Sequence, residues 1–175
     1  MKPGFELEGR GFRLRAWRNA DLPALVRHAN NRKIWINLTD RFPHPYTPDA
    51  GRGWLAMQDH EDHLELVFAI DVDGEAVGAI GLNPQADLNV RVAEIGYWLG
   101  EPFWGRGLCT EAVRLVTAHA FAETEFVRLI AHVLDWNPAS ARVLEKAGYA
   151  LEARQPRNVF KDGQIIDSLL YVKLR

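Results

Sequence analysis

The sequence predicts a mixed α/β fold of the α+β type, with one central sheet and helices on both of its faces. Segments with strand periodicity dominate the first half of the chain, and strands then alternate with helices in the second half. This order gives about seven strands, mostly antiparallel, and about four helices. No repeat or linker divides the 175 residues, so we expect a single domain over residues 1–175.

The first elements follow from alternation and capping. Phe12–Trp17 alternates apolar and basic residues, as a half-buried strand does. Asp21 can cap a helix that runs to about Asn30 and has one apolar face. Asn31 to Tyr46 is an irregular aromatic and polar stretch, and Thr47-Pro48 then starts a second helix with a capping residue before a proline.

Three strands are predicted in the middle of the chain. Leu64–Ile70 and Ala76–Leu82 flank Asp73-Gly74, a residue pair typical of a tight hairpin turn. Ala93–Leu99 follows as the third strand.

The second half alternates helices with strands. Leu108–Glu123 has the apolar periodicity of a helix, and Leu129–Leu134 is strand-like. Pro138–Ala147 forms a short helix that Gly148 ends. The last two strands, Tyr149–Phe160 and Gln164–Lys173, would pair around the turn Lys161-Asp162-Gly163.

Composition excludes several classes of protein. The net charge of −2 argues against a nucleic-acid partner, which a basic surface would need to bind. One cysteine, Cys109, permits no internal disulfide and no zinc cluster. We expect no metal site, because Asp59–His63 is interpreted as a solvated charged turn. Without a signal-peptide core or an apolar run of about 18 residues, we expect a cytoplasmic protein with no membrane partner.

A glycine-rich turn, Gly100–Gly107, connects a strand to a helix. Two glycines beside Arg106 can direct several backbone N–H groups at a phosphate, and the helix dipole adds to this. The alternative is a simple helix entry whose glycines only permit unusual φ angles. Thr110 stands where a dinucleotide fingerprint has glycine, and the Gly-Lys-Ser/Thr ending of a P-loop is absent.

Two longer strings resemble the GNAT superfamily of N-acetyltransferases. Ala93–Leu99 with Phe103–Ala112 is similar to the branch that includes the ribosomal-protein N-terminal acetyltransferases of the RimJ/RimL type. Asn137–Tyr149 is similar to the signature N-x-x-S…L-E-K-x-G-[FY] of that branch. The resemblance extends from Phe12 to Leu174 and implies a sheet in which two neighbouring strands splay apart to hold acetyl-CoA.

The resemblance implies which residues bind acetyl-CoA. The pyrophosphate would lie on the turn and the pantetheine arm along the strand before it. The implied residues are Trp98, Leu99, Trp104, Gly105, Arg106, Gly107, Leu108, Cys109, Thr110, Asn137 and Ser140. Trp104 replaces the usual Gln or Arg, and Cys109 replaces a Gly or Ala. Arg106 could equally be solvated, Thr110 could cap the helix, and Asn137 could only cap the helix that Pro138 begins.

Acetyl transfer to an amine needs a proton acceptor and a donor for the leaving thiolate. Glu94 is the candidate base, directly or through water, and the alternative is an exposed acid on the sheet. Ser140 is the candidate that holds or protonates the sulfur, with Tyr149 as a weaker alternative. Gly96 would permit a bulge that frees backbone N–H groups.

The acceptor cleft is expected in the stretch from Asn31 to Tyr46. Trp35, Asn37 and Tyr46 are the candidate acceptor residues, although Trp35 and Phe42 could instead be core residues. His132 is interpreted as a satisfied core histidine.

The sequence thus predicts an enzyme that transfers acetyl from acetyl-CoA to a primary amine by direct attack. The acceptor is either a protein N-terminal α-amine or a small-molecule amine such as a polyamine or an antibiotic. A non-catalytic acyl-CoA-binding module is the alternative of another class. Homodimer formation is left open.

Overall fold

The computed structural model describes residues 6–58 and 66–175, so the Asp59–His63 stretch lies outside the described residues. The strands are β1 (Glu6–Gly9), β2 (Phe12–Arg15), β3 (Leu66–Val72), β4 (Glu75–Pro84), β5 (Val92–Leu99), β6 (Arg128–Leu134), β7 (Ala150–Lys161) and β8 (Gln164–Leu174). The α-helices are α1 (Leu22–Ala29), α2 (Arg32–Trp35), α3 (Pro48–Gln58), α4 (Leu108–Glu123) and α5 (Pro138–Lys146).

All eight strands form one sheet in the order β1-β2-β3-β4-β5-β6-β8-β7. Every neighbouring pair is antiparallel except β5 and β6, which run parallel. This confirms the mixed, mostly antiparallel sheet that the sequence predicts.

Two hydrophobic clusters cover the two faces of the sheet. One joins the inner residues of β5 and β6, such as Ile95 and Leu129, to the apolar face of α4. The other packs α1 and α3 on the opposite face, around Leu25 and Leu55. Because successive strand residues point to opposite faces, Glu94 and Trp98 lie on the α1–α3 face, and Tyr97 lies on the α4 face.

Two elements were not predicted. The strand β1 has four residues, too few for an alternating pattern to be recognised in the sequence. It lies at the edge of the sheet, next to β2. The helix α2 has four residues within the stretch expected to be irregular, and Asn31 caps it by accepting from Lys33 N at 2.9 Å. The described residues therefore form a sheet of eight strands with five α-helices, where the sequence predicts about seven strands and about four helices.

The start of α1 differs from the prediction. Asp21 precedes the helix but makes no side-chain cap, because its carboxylate binds the Arg15 guanidinium at 2.7 and 2.8 Å. Arg15 also donates to Asp71 at 2.5 Å and is buried, although strand alternation in basic residues predicts an exposed arginine. The two carboxylates compensate the buried charge, and they hold β2, β3 and the start of α1 together.

Candidate active site

The turn before α4 presents unpaired backbone N–H groups. Gly105 and Gly107 have φ angles of +75° and +82°, and a Cβ on either would meet no atom within 4 Å. Gly107 is the N-cap of α4 and supplies no side-chain cap. In the part of the chain that the structure describes, the N–H groups of residues 105–110 donate to no acceptor. These donors, at the positive end of a 16-residue helix, suit a phosphate group.

The side chains of this turn stabilise its shape. Trp104 Nε1 donates to the Leu99 carbonyl at 2.7 Å, while its ring is 44% exposed. Arg106 donates to the Pro102 carbonyl at 2.9 Å, and its guanidinium lies 5.1 Å from the centre of the Phe103 ring. Both side chains therefore bind their own loop in this structure.

The first turn of α4 contains Leu108, Cys109 and Thr110. Leu108 is buried in the core. Burial raises the pKa of the Cys109 thiol to about 12, so the sulfur stays protonated and is not a nucleophile. Thr110 does not cap the helix, because Gly107 occupies the cap position.

A gap opens between β5 and β6. The two strands pair only from Val92 to Glu94, opposite Arg128 to Ile130, and β6 continues by pairing with β8. The rest of β5 borders the gap, with Trp98 and Leu99 at the end next to the glycine turn. The prediction of a bulge at Gly96 is wrong, because β4 and β5 keep a regular register there. The free edge of β5 comes from the splay instead.

Ser140 and Asn137 lie at the start of α5. Asn137 Oδ1 accepts from Ser140 N at 3.2 Å and caps the helix. Ser140 Oγ is 2.9 Å from the Tyr97 hydroxyl on β5. Burial raises the pKa of Tyr97, so its phenol stays protonated. Tyr149 is buried and bonds to Thr117 instead, at 2.8 Å.

Glu94 lies at the closed end of the gap, on the other face of the sheet from Ser140. Its Oε1 is 2.8 Å from His132 Nδ1, and the two side chains are 36% and 39% exposed. The interpretation of His132 as a core residue is wrong. Leu129, Ala131 and Val133 fill the core from β6, so His132 points to the opposite face. The hydrogen bond to Glu94 raises the pKa of His132 against an opposing effect of burial.

Glu94 and His132 line a cavity of about 350 Å³. The loop from Asn37 to Asp40 forms one wall, and residues 158–161 of β7 with Ser168 of β8 form another. The loop and β7 are held together by Lys161, which is 3% exposed and binds Asp40 at 2.7 Å. Glu94, His132 and this ion pair place charged and polar groups in a cavity whose walls are otherwise mostly apolar.

The three candidate acceptor residues occupy different positions. Asn37 lines the cavity, and its buried Oδ1 has no hydrogen-bond partner among the described residues. Trp35 is not among the cavity-lining residues, but it contacts one of them, because its ring centre lies 4.0 Å from Lys161 Nζ. Tyr46 is 3% exposed within the α1–α3 cluster and is not among the cavity-lining residues. Phe42 packs in the same cluster, next to Trp98.

Three site residues were missed by sequence reasoning. His132 could have been found from the alternation of β6. Tyr97 and Lys161 gave no such signal, because their contacts join residues 43 and 121 positions apart in the chain.

Residues 12–150 match the family described as the acetyltransferase (GNAT) domain. The chain belongs to the GNAT acetyltransferase family. This GNAT chain is 38% identical over 106 residues to the probable N-acetyltransferase YjcK of Bacillus subtilis, an alignment that covers 61% of this chain and 58% of the relative. It is 30% identical over 115 residues to the ribosomal-protein-serine acetyltransferase of Escherichia coli, covering 66% of this chain and 64% of the relative. The alignments thus span less than two thirds of these relatives.

A solved GNAT structure has the same fold. It is RimL, a ribosomal L7/L12 α-N-protein acetyltransferase in complex with coenzyme A, with a TM-score of 0.86 and 22% identity over 97% of this chain and 98% of that chain. At this identity the likeness concerns the fold.

Residues 6–58 and 66–175 contain no group of three or more His, Cys, Asp or Glu placed to hold a metal ion. Over the same residues, no helix is long and apolar enough to cross a membrane.

Proposed function

We propose that this protein is an acetyl-CoA-dependent N-acetyltransferase that acetylates a primary amine by direct attack. One observation carries the proposal: the gap between β5 and β6 connects the unpaired N–H groups of residues 105–110 to the cavity at Glu94. Donors suited to a phosphate, an open strand edge and a cavity that holds charged side chains follow one another along this path. Family membership supports the same activity.

The residues present fit acetyl-CoA. The N–H groups of residues 105–110 would bind the pyrophosphate, with Arg106 able to turn toward it from its exposed position. The free edge of β5 beside Trp98 and Leu99 would pair with the amides of the pantetheine arm. Asn137 uses Oδ1 for its cap, which leaves its amide NH₂ to donate to the same arm.

The chemistry requires two proton transfers from the protonated acceptor. Acetyl-CoA supplies an activated thioester carbonyl. At neutral pH the amine must first lose a proton, and Glu94 with its hydrogen-bonded partner stands in the cavity to assist that loss. The amine nitrogen then bonds to the carbonyl carbon and the C–S bond breaks. Ser140, hydrogen-bonded to Tyr97, supplies a proton to the thiolate on the opposite side of the gap.

A protein N-terminal α-amine is the acceptor class we favour. Its ordinary pKa of about 8 lies well below the value of about 10.4 for a lysine amine, so a weak base in the cavity can deprotonate it. The carboxylates of Glu94 and Asp40 line the cavity and offer hydrogen-bond acceptors to a cationic amine. The E. coli relative is named for acetylation of a ribosomal protein.

A thiol-release assay tests the activity and the acceptor class together. Acetyl-CoA is supplied with short peptides that have free N-termini, and in parallel with polyamines, amino acids and aminoglycosides. We expect release with peptides and little with peptides whose N-terminus is blocked. Release with a small amine alone would replace the proposed acceptor. Calorimetric binding of acetyl-CoA with no release from any amine would instead support an acyl-CoA-binding module.

Substitution of Glu94 tests the site. Glu94→Gln should lower kcat by about a hundredfold, the lower end of a general-base contribution, and leave the Kd for acetyl-CoA unchanged. Glu123→Gln, an exposed position at the far end of α4, is the matched control and should keep the wild-type rate. A wild-type rate in Glu94→Gln would remove this residue from the mechanism.

A further inference from the structure

His132 faces the acceptor cavity with one ring nitrogen engaged. Its Nδ1 lies 2.8 Å from Glu94 Oε1. Its Nε2 has no hydrogen-bond partner among the residues that the structure describes. Both side chains line the cavity, and they bridge β5 and β6 on the residues where the two strands part.

This arrangement fixes the tautomer of the ring. A carboxylate accepts a hydrogen bond from Nδ1–H, so the neutral imidazole carries its lone pair on Nε2. A histidine base oriented by a carboxylate is a recurrent solution for removing a proton from a nucleophile. Glu94 is bound to the ring, whereas the second nitrogen of the ring remains free for a substrate.

We propose that His132 Nε2 accepts the proton of the acceptor amine and that Glu94 is a positioning residue that acts through His132 Nδ1. The inference rests on the proposed function and specifies the atom that performs its first step.

The transfers balance. The ammonium group gives one proton to Nε2, which leaves a neutral amine and an imidazolium paired with Glu94. The amine lone pair forms the C–N bond as the C–S bond breaks. The second proton of the nitrogen passes to water, the thiolate receives a proton from the Ser140 hydroxyl, which regains one from water, and His132 returns its proton to water. The net products are the amide, the free thiol and one proton.

The charged groups around His132 determine the direction of its pH response. Glu94 faces it from β5, Asp40 from the loop after α2, and Lys161 from β7, while β8 contributes the uncharged Ser168. Lys161 and Asp40 bind each other at 2.7 Å, which leaves Glu94 as the direct partner of the ring. Glu94 raises the pKa of His132, so the rate should rise with pH as the ring becomes neutral.

The test combines pH–rate profiles of kcat/KM with NMR titration of the histidine rings. The wild-type enzyme, His132→Gln, Glu94→Gln and the control His119→Gln on α4 are compared, with acetyl-CoA and the best peptide of the panel. His132→Gln should lose at least a hundredfold in kcat and lose the rise in rate between about pH 5 and 8. Glu94→Gln should still show a rise in rate with pH, but the rise should occur at lower pH, because loss of the carboxylate lowers the pKa of His132. NMR should show the same shift of the His132 titration to lower pH.

The outcomes separate the two proposals. A wild-type rate and profile in His132→Gln, beside an active wild-type enzyme, would overturn the role of His132 alone. An unchanged His132 titration in Glu94→Gln would overturn the positioning role. Absence of release from every amine by the wild-type enzyme would overturn the proposed function and this inference together.

Discussion

At the scale of single residues, the two side-chain pairs that we propose for proton transfer lie on opposite faces of the sheet. Glu94 and His132 lie on one face of the sheet, and Ser140 and Tyr97 lie on the other. The buried Tyr97 phenol stays protonated and donates either to Ser140 Oγ or to its carbonyl oxygen, at 2.9 and 3.2 Å. The proposed base and the proposed acid are therefore kept apart and cannot exchange a proton directly.

The pair on the α4 side should act as the acid. Ser140→Ala should lower kcat by about a hundredfold with little change in KM for acetyl-CoA, because the leaving thiolate loses its donor. Tyr97→Phe should lower kcat by a smaller factor, because Tyr97 acts only through its hydrogen bond to Ser140. Steady-state measurements of kcat and KM for both variants would test this.

Tyr149→Phe is the control for these variants, since that hydroxyl bonds to Thr117 and not to Ser140. A loss of rate in Tyr149→Phe as large as in Ser140→Ala would favour Tyr149 as the acid.

At the scale of elements, the glycine turn and α4 act as one unit. Gly105 and Gly107 have left-handed conformations, and α4 begins directly after them without a side-chain cap. A capping side chain would compete with a phosphate for the N–H groups at the start of α4.

Gly107→Ala tests this unit. A non-glycine residue at a φ of +82° costs about 1–2 kcal/mol, and relaxation would turn the N–H groups away. We expect the Kd for coenzyme A, measured by calorimetry, to rise about tenfold, which corresponds to about 1.4 kcal/mol.

Gly53→Ala in α3 is the matched control. A Cβ there also meets no atom within 4 Å, but the residue is helical, so the variant should gain about 0.5–1 kcal/mol of stability and bind coenzyme A normally. An unchanged Kd in Gly107→Ala would argue against phosphate binding at this turn.

The sequence predicts secondary-structure elements better than it predicts side-chain contacts between residues far apart in the chain. The helix α4 and the turns at Asp73-Gly74 and Lys161-Asp162-Gly163 have strong local signals, and the structure contains each of them. The burial of Arg15 could not be read locally, because it depends on Asp71, 56 residues away. The cavity is likewise built from five separate parts of the chain, and among its lining residues the sequence singled out only Asn37 and Glu94 as candidate site residues.

At the scale of the whole molecule, the acceptor cavity closes where distant segments meet. Lys161 binds Asp40, its ammonium lies over Trp35, and Arg32 binds Asp162 at 2.5 Å. These contacts attach the loop after α2 to the tip of the β7–β8 hairpin. They fix the width of the cavity without taking part in the core.

Lys161→Met tests this attachment. The KM for the peptide acceptor should rise about threefold to tenfold while the KM for acetyl-CoA stays constant, because only the cavity wall loosens. Stability should change by less than about 1 kcal/mol, since the Asp40 carboxylate is 72% exposed and returns to water.

Lys173→Met is the control for this variant, because its ammonium bonds to the Gly148 carbonyl on another part of the sheet. An unchanged peptide KM in Lys161→Met would show that the wall does not contribute to acceptor binding.

The attachment between the loop after α2 and the β7–β8 hairpin has a consequence for evolution. The floor of the cavity belongs to β5 and β6 in the middle of the sheet, whereas its walls are surface segments joined by a few ionic and cation–π contacts. Under the proposed function, acceptor preference can therefore diverge through substitutions in the walls, while the residues of β5 and β6 that form the floor are retained.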